Sequence, residues 1–205
     1  MDILTLTETQ RDALQEVANI GASHAATSLS QMVGRPIHIG IPQVDVIPLE
    51  KTMDCVKDHE VVAGVLLQIT DTLSISTLLL ISQESAFSLS HLLLGEPQDS
   101  NQQDLSEMEQ SALMELGNVM MSSFFDSLSE LLGLSIIPGP PHLAYDMPAA
   151  VMDYVLIQMG EVADTVVVFN CNIKDEQGES FEVNLFLLPK PESIRMILDT
   201  LGVKE

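Results

Sequence analysis

Small and apolar residues recur along two stretches of the chain with the period of an α-helix. They are Leu14, Val17, Gly21, Ala25 and Met32 in the first stretch, and Leu113, Leu116, Met120, Phe124 and Leu131 in the second. At about 100° per residue, each set falls on one side of a helix. A capping-box sequence precedes each stretch and a glycine follows it: Thr7-x-x-Gln10 with Gly34, and Ser106-x-x-Glu109 with Gly133. The pattern predicts two long helices, over Glu8–Val33 and Glu107–Leu132.

Shorter elements follow each long helix. The pattern predicts strands within 37–47, 61–70, 73–82, 164–174 and 180–188, and helices over 83–94 and 191–201. Residues 147–158 fit a helix or a strand equally well, and the polar residues 98–104 are expected to join two halves. Strands in hairpins beside helices indicate an α+β fold. We predict one domain over 1–205, with pseudo-symmetric halves of about 6–97 and 105–203 that share one mainly antiparallel sheet. Each half would contain a long helix, three strands and a closing helix.

The two long helices carry the same sequence pattern, 99 residues apart. Residues 6–42 align without a gap on residues 105–141 and match at 14 of 37 positions. Unrelated segments of ordinary composition would match at about 2 or 3 positions. The chain is therefore the product of an internal duplication, and each copy serves as a comparison for the other.

The duplicated pattern keeps polar residues that a packed core does not need. Each helix carries four of them within an arc of roughly 60° on the face opposite its apolar residues: Asp12, Glu16, Asn19 and Ser23, and Ser111, Glu115, Asn118 and Ser122. A face that needs only to be solvated would exchange Lys, Gln, Glu and Arg freely. Asn also costs some tenths of a kcal/mol relative to Ala inside a helix. The repeated Glu-x-x-Asn pair therefore indicates a functional site on each helix.

Simpler interpretations of single features remain open. One Glu-x-x-Asn pair on a helix is usually a solvated surface, and the Asn side chain could cap a crossing element. A metal site made of Asp12, Glu16 and Asn19 is weak, because Ser111 replaces one carboxylate in the second copy. The two cysteines form no Cys-x-x-Cys motif, and the five histidines have no ligand spacing. We expect no structural metal.

The charge of the chain narrows the range of partners. Thirty acidic residues against 8 basic ones give a formal net charge of −22, which argues against nucleic acids and anionic membranes as partners. No apolar run reaches the roughly 18–20 residues of a membrane span, and no basic-then-apolar leader opens the sequence. We attribute the charge mainly to a solvated acidic surface, although attraction to a basic patch of another protein is an alternative. We expect a cytoplasmic protein, monomeric and without membrane insertion.

The doubled pattern [Asp/Ser]-x3-Glu-x2-Asn-x22-Pro, which ends at Pro42 and Pro141, resembles that of the CheC/CheX/FliY family of chemotaxis phosphatases. Two intact copies are most similar to its CheC branch. The resemblance implies a CheC-like duplicated fold and the hydrolysis of an aspartyl phosphate on a CheY-type response regulator, an acyl-phosphate phosphatase activity. Any Mg²⁺ would then belong to the regulator, and the chain would need no cofactor of its own.

The resemblance also implies roles for the site residues. Asn19 and Asn118 would position the attacking water, because a neutral amide both donates and accepts hydrogen bonds. Glu16 and Glu115 would contact a lysine beside the regulator's phosphoryl group, since a carboxylate close to the phosphate itself is repelled. Asp12 and Ser111 would flank the contact with the partner or orient the glutamate.

Two other functions remain open at the level of sequence. Relatives of the CheC type bind the receptor deamidase CheD, so the chain could be a non-enzymatic adaptor. Asp146 is the residue that the resemblance assigns to this contact, although a helix N-cap is an equal alternative for it. The third function, a structural relative of the flagellar switch, is disfavoured by the Glu/Asn pair kept in both halves.

Overall fold

The computed structural model describes residues 7–55, 61–70, 73–95, 102, 104–159 and 164–200. Within them the chain forms five α-helices, seven strands and one 3-10 helix. In chain order these are α1 (Glu8–Val33), β1 (Ile37–Ile39), β2 (Gln43–Pro48), the 3-10 helix Leu49–Cys55, β3 (Val62–Ile69), β4 (Ile75–Ser82), α2 (Gln83–Leu94), α3 (Glu107–Leu132), β5 (His142–Asp146), α4 (Pro148–Met159), β6 (Thr165–Asp175), β7 (Ser180–Pro189) and α5 (Pro191–Thr200). No helix in the described ranges is long and apolar enough to span a membrane.

The two long helices begin and end at the predicted residues. Both capping boxes form: the side chains of Thr7 and Ser106 accept hydrogen bonds from the backbone N–H groups of Gln10 and Glu109, whose side chains accept in return from the backbone N–H groups of the two caps. These bonds satisfy N–H groups that the first turn of a helix leaves free. Each helix ends at a glycine with positive φ, where a side chain would be strained.

The strands of both halves form one seven-stranded sheet. Its order is β1-β6-β7-β4-β3-β5, with β2 also pairing with β6, and every pairing among the described strands is antiparallel. The hairpins β3–β4 and β6–β7 meet in the middle through β4 and β7. Beyond them the halves exchange strands, because β1 and β2 pair with β6 of the second half while β5 pairs with β3 of the first. The predicted α+β fold with one shared antiparallel sheet is confirmed.

Alternate residues of the central strands face two separate apolar cores. Leu79 and Ile81 pack with α1 and α3 on one face of the sheet, whereas Leu78 and Leu80 pack with α4 and the 3-10 helix on the other. The long helices also contact each other closely: a Cβ atom built on Gly21 would lie 2.9 Å from the Cα of Phe124. The sheet thus supports α1 and α3 from one side and leaves their opposite faces outside.

The buried stripe of each long helix is less straight than the sequence predicted. Buried positions follow steps of four residues, through Gly21, Ala25 and Leu29 in α1, so the stripe winds around the helix. Such a stripe is typical of helices that cross at an angle and pack ridges into grooves. The prediction that Met32 and Leu131 face the core is therefore wrong: these side chains are 40% and 46% exposed.

The halves also contain elements that the predicted scheme lacked. The stretch 37–47 forms two strands separated by residues 40–42, where Gly40 still donates its N–H to the backbone oxygen of Asn172 in β6. In the second copy Pro138 stands where β1 has Ile39, and a proline has no N–H for a strand ladder. Of the ambiguous residues 147–158, all but Met147 are helical, consistent with Pro148 at the first helical position. Most of the predicted joint at 98–104 lies outside the described residues.

Candidate functional site

The N-terminal half of each long helix presents the predicted polar arc on the outside of the molecule. In what we call the first site, Asp12 and Glu16 are exposed and Asn19 is half-buried. In the second site, Ser111 and Glu115 are exposed and Asn118 is half-buried. The two sites therefore show the same order of exposure, and in each the asparagine is the least exposed of the three residues.

The glutamates of both sites are free to meet a partner. Within the described residues, neither Glu16 nor Glu115 has a hydrogen-bond or ion-pair partner in the protein. Residues three apart on a helix are neighbours, with Cβ atoms about 5–6 Å apart, so each glutamate lies next to its asparagine. Each site thus pairs a solvated carboxylate with a neutral amide on one rigid helical turn.

The asparagine of the first site is held by a residue that the sequence analysis did not identify. The Nε2 of Gln15 donates to Oδ1 of Asn19 at 3.1 Å and to the backbone oxygen of Pro42 at 2.5 Å. The buried Pro42, which directly precedes β2, therefore contacts the first site through its backbone oxygen. Because Gln15 and Pro42 are 27 residues apart, only the folded chain brings them together.

The second site lacks this connection. Met114 occupies the position that corresponds to Gln15, and a thioether cannot donate a hydrogen bond to Pro141. Among the described residues, the side chain of Asn118 has no hydrogen-bond partner. The two copies therefore agree in the motif and differ in what supports its asparagine. Comparing Gln15 with Met114 was the one signal in the sequence that could have revealed this difference.

Asp146 lies apart from both sites, at the end of β5. Its side chain is exposed, and its Oδ1 accepts from the backbone N–H of Met147 at 2.7 Å. Helix α4 begins two residues later and presents Tyr154 and Ile157 to solvent, at 41% and 78% exposure. Asp146 thus directly precedes the exposed Met147, before a helix that packs on the face of the sheet opposite the long helices.

Other reactive side chains offer no competing chemistry in the described part of the chain. Burial raises the pKa of the Cys171 thiol to about 12. Burial and the neighbouring carboxylates Asp45 and Asp54 also raise the pKa of Cys55. Both thiols are therefore poor nucleophiles at neutral pH. Within the described residues, no group of three or more His, Cys, Asp or Glu side chains is placed to hold a metal ion.

Comparison with known proteins matches both sites. A model of the CheC-like family matches residues 10–44 and 108–145, which include both motifs from the first acidic or serine residue to the proline. The CheY-P phosphatase CheC of Bacillus subtilis is 30% identical over 199 residues, 95% of each chain. The flagellar motor switch phosphatase FliY of B. subtilis is 33% identical over 138 residues, 67% of this chain and 36% of that protein.

A solved structure matches the whole fold. The crystal structure of Thermotoga maritima FliY superposes with a TM-score of 0.78 at 25% sequence identity, covering 98% of this chain and 100% of that one.

Proposed function

Because the chain belongs to the CheC-like family, we propose that it dephosphorylates a CheY-type response regulator in chemotaxis signalling. The names of its relatives, a CheY-P phosphatase and a flagellar motor switch phosphatase, support this proposal. We expect it to act in the cytoplasm, as a monomer, on the phosphorylated regulator.

The main support is the pair of matched sites on α1 and α3. Each exposes a glutamate without an intramolecular partner beside a half-buried asparagine, on the helix face that does not pack. Glutamates kept in this way without a structural contact are suited to meet another protein.

The reaction would take place on the regulator, which carries both the aspartyl phosphate and its Mg²⁺. A water oxygen bonds to phosphorus as the bond from phosphorus to the aspartyl oxygen breaks, which frees the carboxylate and inorganic phosphate. Such transfer depends mostly on positioning and electrostatics. The amides of Asn19 and Asn118 hold the water in line without adding charge next to the anionic phosphoryl group.

The glutamates would act at a distance from phosphorus. Glu16 and Glu115 pair with a lysine of the regulator and orient the two proteins, and this pairing requires no internal bond to be broken first. Asp12 and Ser111, one turn earlier on the same arcs, flank the contact. Since these two residues differ, we expect them to adjust affinity rather than to take part in the chemistry.

Incubation with a regulator phosphorylated in the presence of Mg²⁺ tests the proposal directly. The purified chain should speed the loss of phosphate above the regulator's spontaneous rate, and the double variant Asn19→Ala/Asn118→Ala should not. The matched control is Thr27→Ala/Asp126→Ala, a pair of exposed residues also 99 positions apart on the same helices. A double asparagine variant that is folded and fully active would refute the phosphatase proposal.

A second candidate function is binding of the receptor deamidase CheD. It is favoured by the exposed side chain of Met147, which directly follows the exposed Asp146 in the chain, and by the exposed Tyr154 and Ile157 of α4. An apolar surface bordered by a charge is typical of a protein contact.

We expect Asp146→Ala to weaken CheD binding and to leave dephosphorylation intact, because Asp146 is on neither long helix. Titration calorimetry with CheD measures the first effect and the phosphate assay the second. Asp164→Ala, at an exposed residue before β6, is the control for loss of one negative charge. Equal CheD affinity for wild type and Asp146→Ala would remove this residue from the proposed contact.

A further inference from the structure

The hydrogen bonds of Gln15 determine which way the amide of Asn19 faces. The backbone oxygen of Pro42 can only accept, so Gln15 must turn its NH₂ group towards it. The same NH₂ group contacts Asn19, so Asn19 must present its oxygen to Gln15. The NH₂ group of Asn19 therefore lies on the side away from Gln15, and the proline carbonyl fixes the whole chain of contacts.

This orientation matters for hydrolysis. An attacking water needs a free lone pair directed at phosphorus, so the group that positions it should accept a hydrogen from the water. An NH₂ group does the opposite, because it occupies a lone pair of the water or binds a phosphoryl oxygen. An asparagine whose oxygen is turned towards Gln15 is thus suited to hold the phosphorylated partner and is less suited to direct the water.

The second site has no such restraint. With Met114 in place of Gln15, the amide of Asn118 can turn about χ2 and present either its oxygen or its NH₂ group. The motif residues of the two sites are otherwise matched at the glutamate and asparagine. The difference in amide orientation between Asn19 and Asn118 therefore depends on one pair of positions, 15 and 114.

We propose that Gln15 is a positioning residue that turns Asn19 into a donor towards the partner, so that the first site binds the phosphorylated regulator but hydrolyses it more slowly than the second. This inference rests on the proposed phosphatase function. It assigns the rate difference between the sites to the contact from Gln15 to Asn19 and Pro42.

Exchange of the two residues tests the inference, with one site silenced at a time. In an Asn118→Ala chain, where only the first site works, Gln15→Met should raise kcat about three- to ten-fold, the factor that corresponds to one ordinary hydrogen bond. KM should stay within about twofold, because phosphoryl contacts remain available. In an Asn19→Ala chain, Met114→Gln should lower kcat by a similar factor. Methionine and glutamine have similar length and helix propensity, so thermal unfolding should change little.

Three controls make the outcome decisive. The Asn118→Ala chain should be slower than the Asn19→Ala chain, and adding Gln15→Met to the double asparagine variant should leave the spontaneous rate unchanged. Gln15→Ala should raise kcat in the same direction as Gln15→Met. An unchanged or lower kcat for both Gln15 variants in the Asn118→Ala chain, or a change in KM alone, overturns the role of Gln15 while the phosphatase proposal stands. Full activity of the double asparagine variant instead overturns the phosphatase proposal and this inference with it.

Discussion

Asn19 and Asn118 occupy matched positions but differ in their surroundings, which allows their contributions to be separated. Neither belongs to the buried stripe of its helix, and Gln15 keeps its bond to Pro42 when Asn19 is replaced, so Asn→Ala should change the free energy of unfolding by about 1 kcal/mol or less. Loss of a water-positioning group should lower the rate at the second site about 10²-fold, as removal of one preorganised polar group does elsewhere. The fall should be smaller at the first site, where the oxygen of Asn19 is bound by Gln15.

Each single variant, Asn19→Ala or Asn118→Ala, should therefore keep a partial rate, and the double variant should approach the spontaneous rate of the regulator. Phosphate release gives the rates, and circular dichroism checks the fold. If one single variant already abolishes all activity, the two sites do not act independently.

At this scale the sequence revealed the residues but not their contacts. The repeated Glu-x-x-Asn pair was sufficient to predict which side chains lie on the exposed arcs, because helical periodicity relates position directly to direction. The contact from Gln15 to Pro42 depends on how the chain folds back after α1. Helical periodicity and capping rules describe only neighbouring residues, so they cannot predict a contact between residues 27 positions apart. The roles of Glu16, Asn19, Glu115 and Asn118 in catalysis stay predictions.

At the scale of elements, the closest contact between α1 and α3 depends on a residue without a side chain. Gly21→Ala would place a Cβ atom 2.9 Å from the Cα of Phe124, and a backbone atom cannot move away as a side chain can. Overpacking of this kind costs about 1–3 kcal/mol, and the better helix propensity of alanine returns about 1 kcal/mol.

We expect Gly21→Ala to lower the free energy of unfolding by about 1 kcal/mol in a denaturant titration. Ser28→Ala, at an exposed position of the same helix, should be neutral or slightly stabilising. A Gly21→Ala chain that is more stable than wild type would show that the two helices can move apart at no cost.

The cap of α3 links two helices and gives a prediction about pH. Glu109 is buried, and its Oε1 lies 3.3 Å from Nε2 of His91 in α2. Burial alone raises the pKa of Glu109, but hydrogen bonds from Ser106 and Gln102 and the nearby His91 outweigh it and lower the pKa below its ordinary value of 4.5. A carboxyl group with a lowered pKa stabilises the folded state above its unfolded pKa, and this stability is lost as the pH falls through the folded pKa.

Glu109→Gln should preserve the capping box, since α1 has Gln10 at the same position, but should lose the charge-assisted bonds. We expect it to lower the free energy of unfolding by about 1 kcal/mol at neutral pH. The difference in the free energy of unfolding between Glu109→Gln and wild type should become smaller as the pH falls below 4.5, because the wild-type carboxylate is then protonated. Glu107→Gln, an exposed residue of the same turn, is the control and should have a smaller effect. A difference that does not vary with pH would mean that the charge of Glu109 contributes nothing.

The first and last residues of an element could be predicted where the sequence marks its ends, and could not be predicted where it does not. Capping boxes and glycines fixed α1 and α3, because their hydrogen bonds are local in the sequence. The 3-10 helix Leu49–Cys55 and the short strand β1 have no such signals. They depend on contacts distant in the sequence, since β1 pairs with β6 and the 3-10 helix packs on the sheet. Helix α4 was ambiguous because a short apolar run fits a buried strand as well as a buried helix.

For the molecule as a whole, we expect activity without a metal of its own. Among the described residues no cluster of ligands is placed to bind an ion, and the proposed chemistry relies on the regulator's Mg²⁺. Metal analysis after dialysis against a chelator should find no stoichiometric ion, and activity should return when Mg²⁺ is supplied with the regulator. Zn²⁺ or Mn²⁺ that survives dialysis and is needed for activity would contradict the water-positioning mechanism.

The exchange of strands between the halves has a consequence for how the two sites evolved. In an ancestor with a single copy, β2 could pair with a hairpin in the observed way only if that hairpin came from a second chain, which describes a symmetric homodimer. In such a dimer one gene encodes both sites, so every substitution changes both at once. Fusion of two such copies would remove that constraint. A glutamine could then be fixed beside one asparagine and a methionine beside the other, which allows the two sites to specialise within one chain.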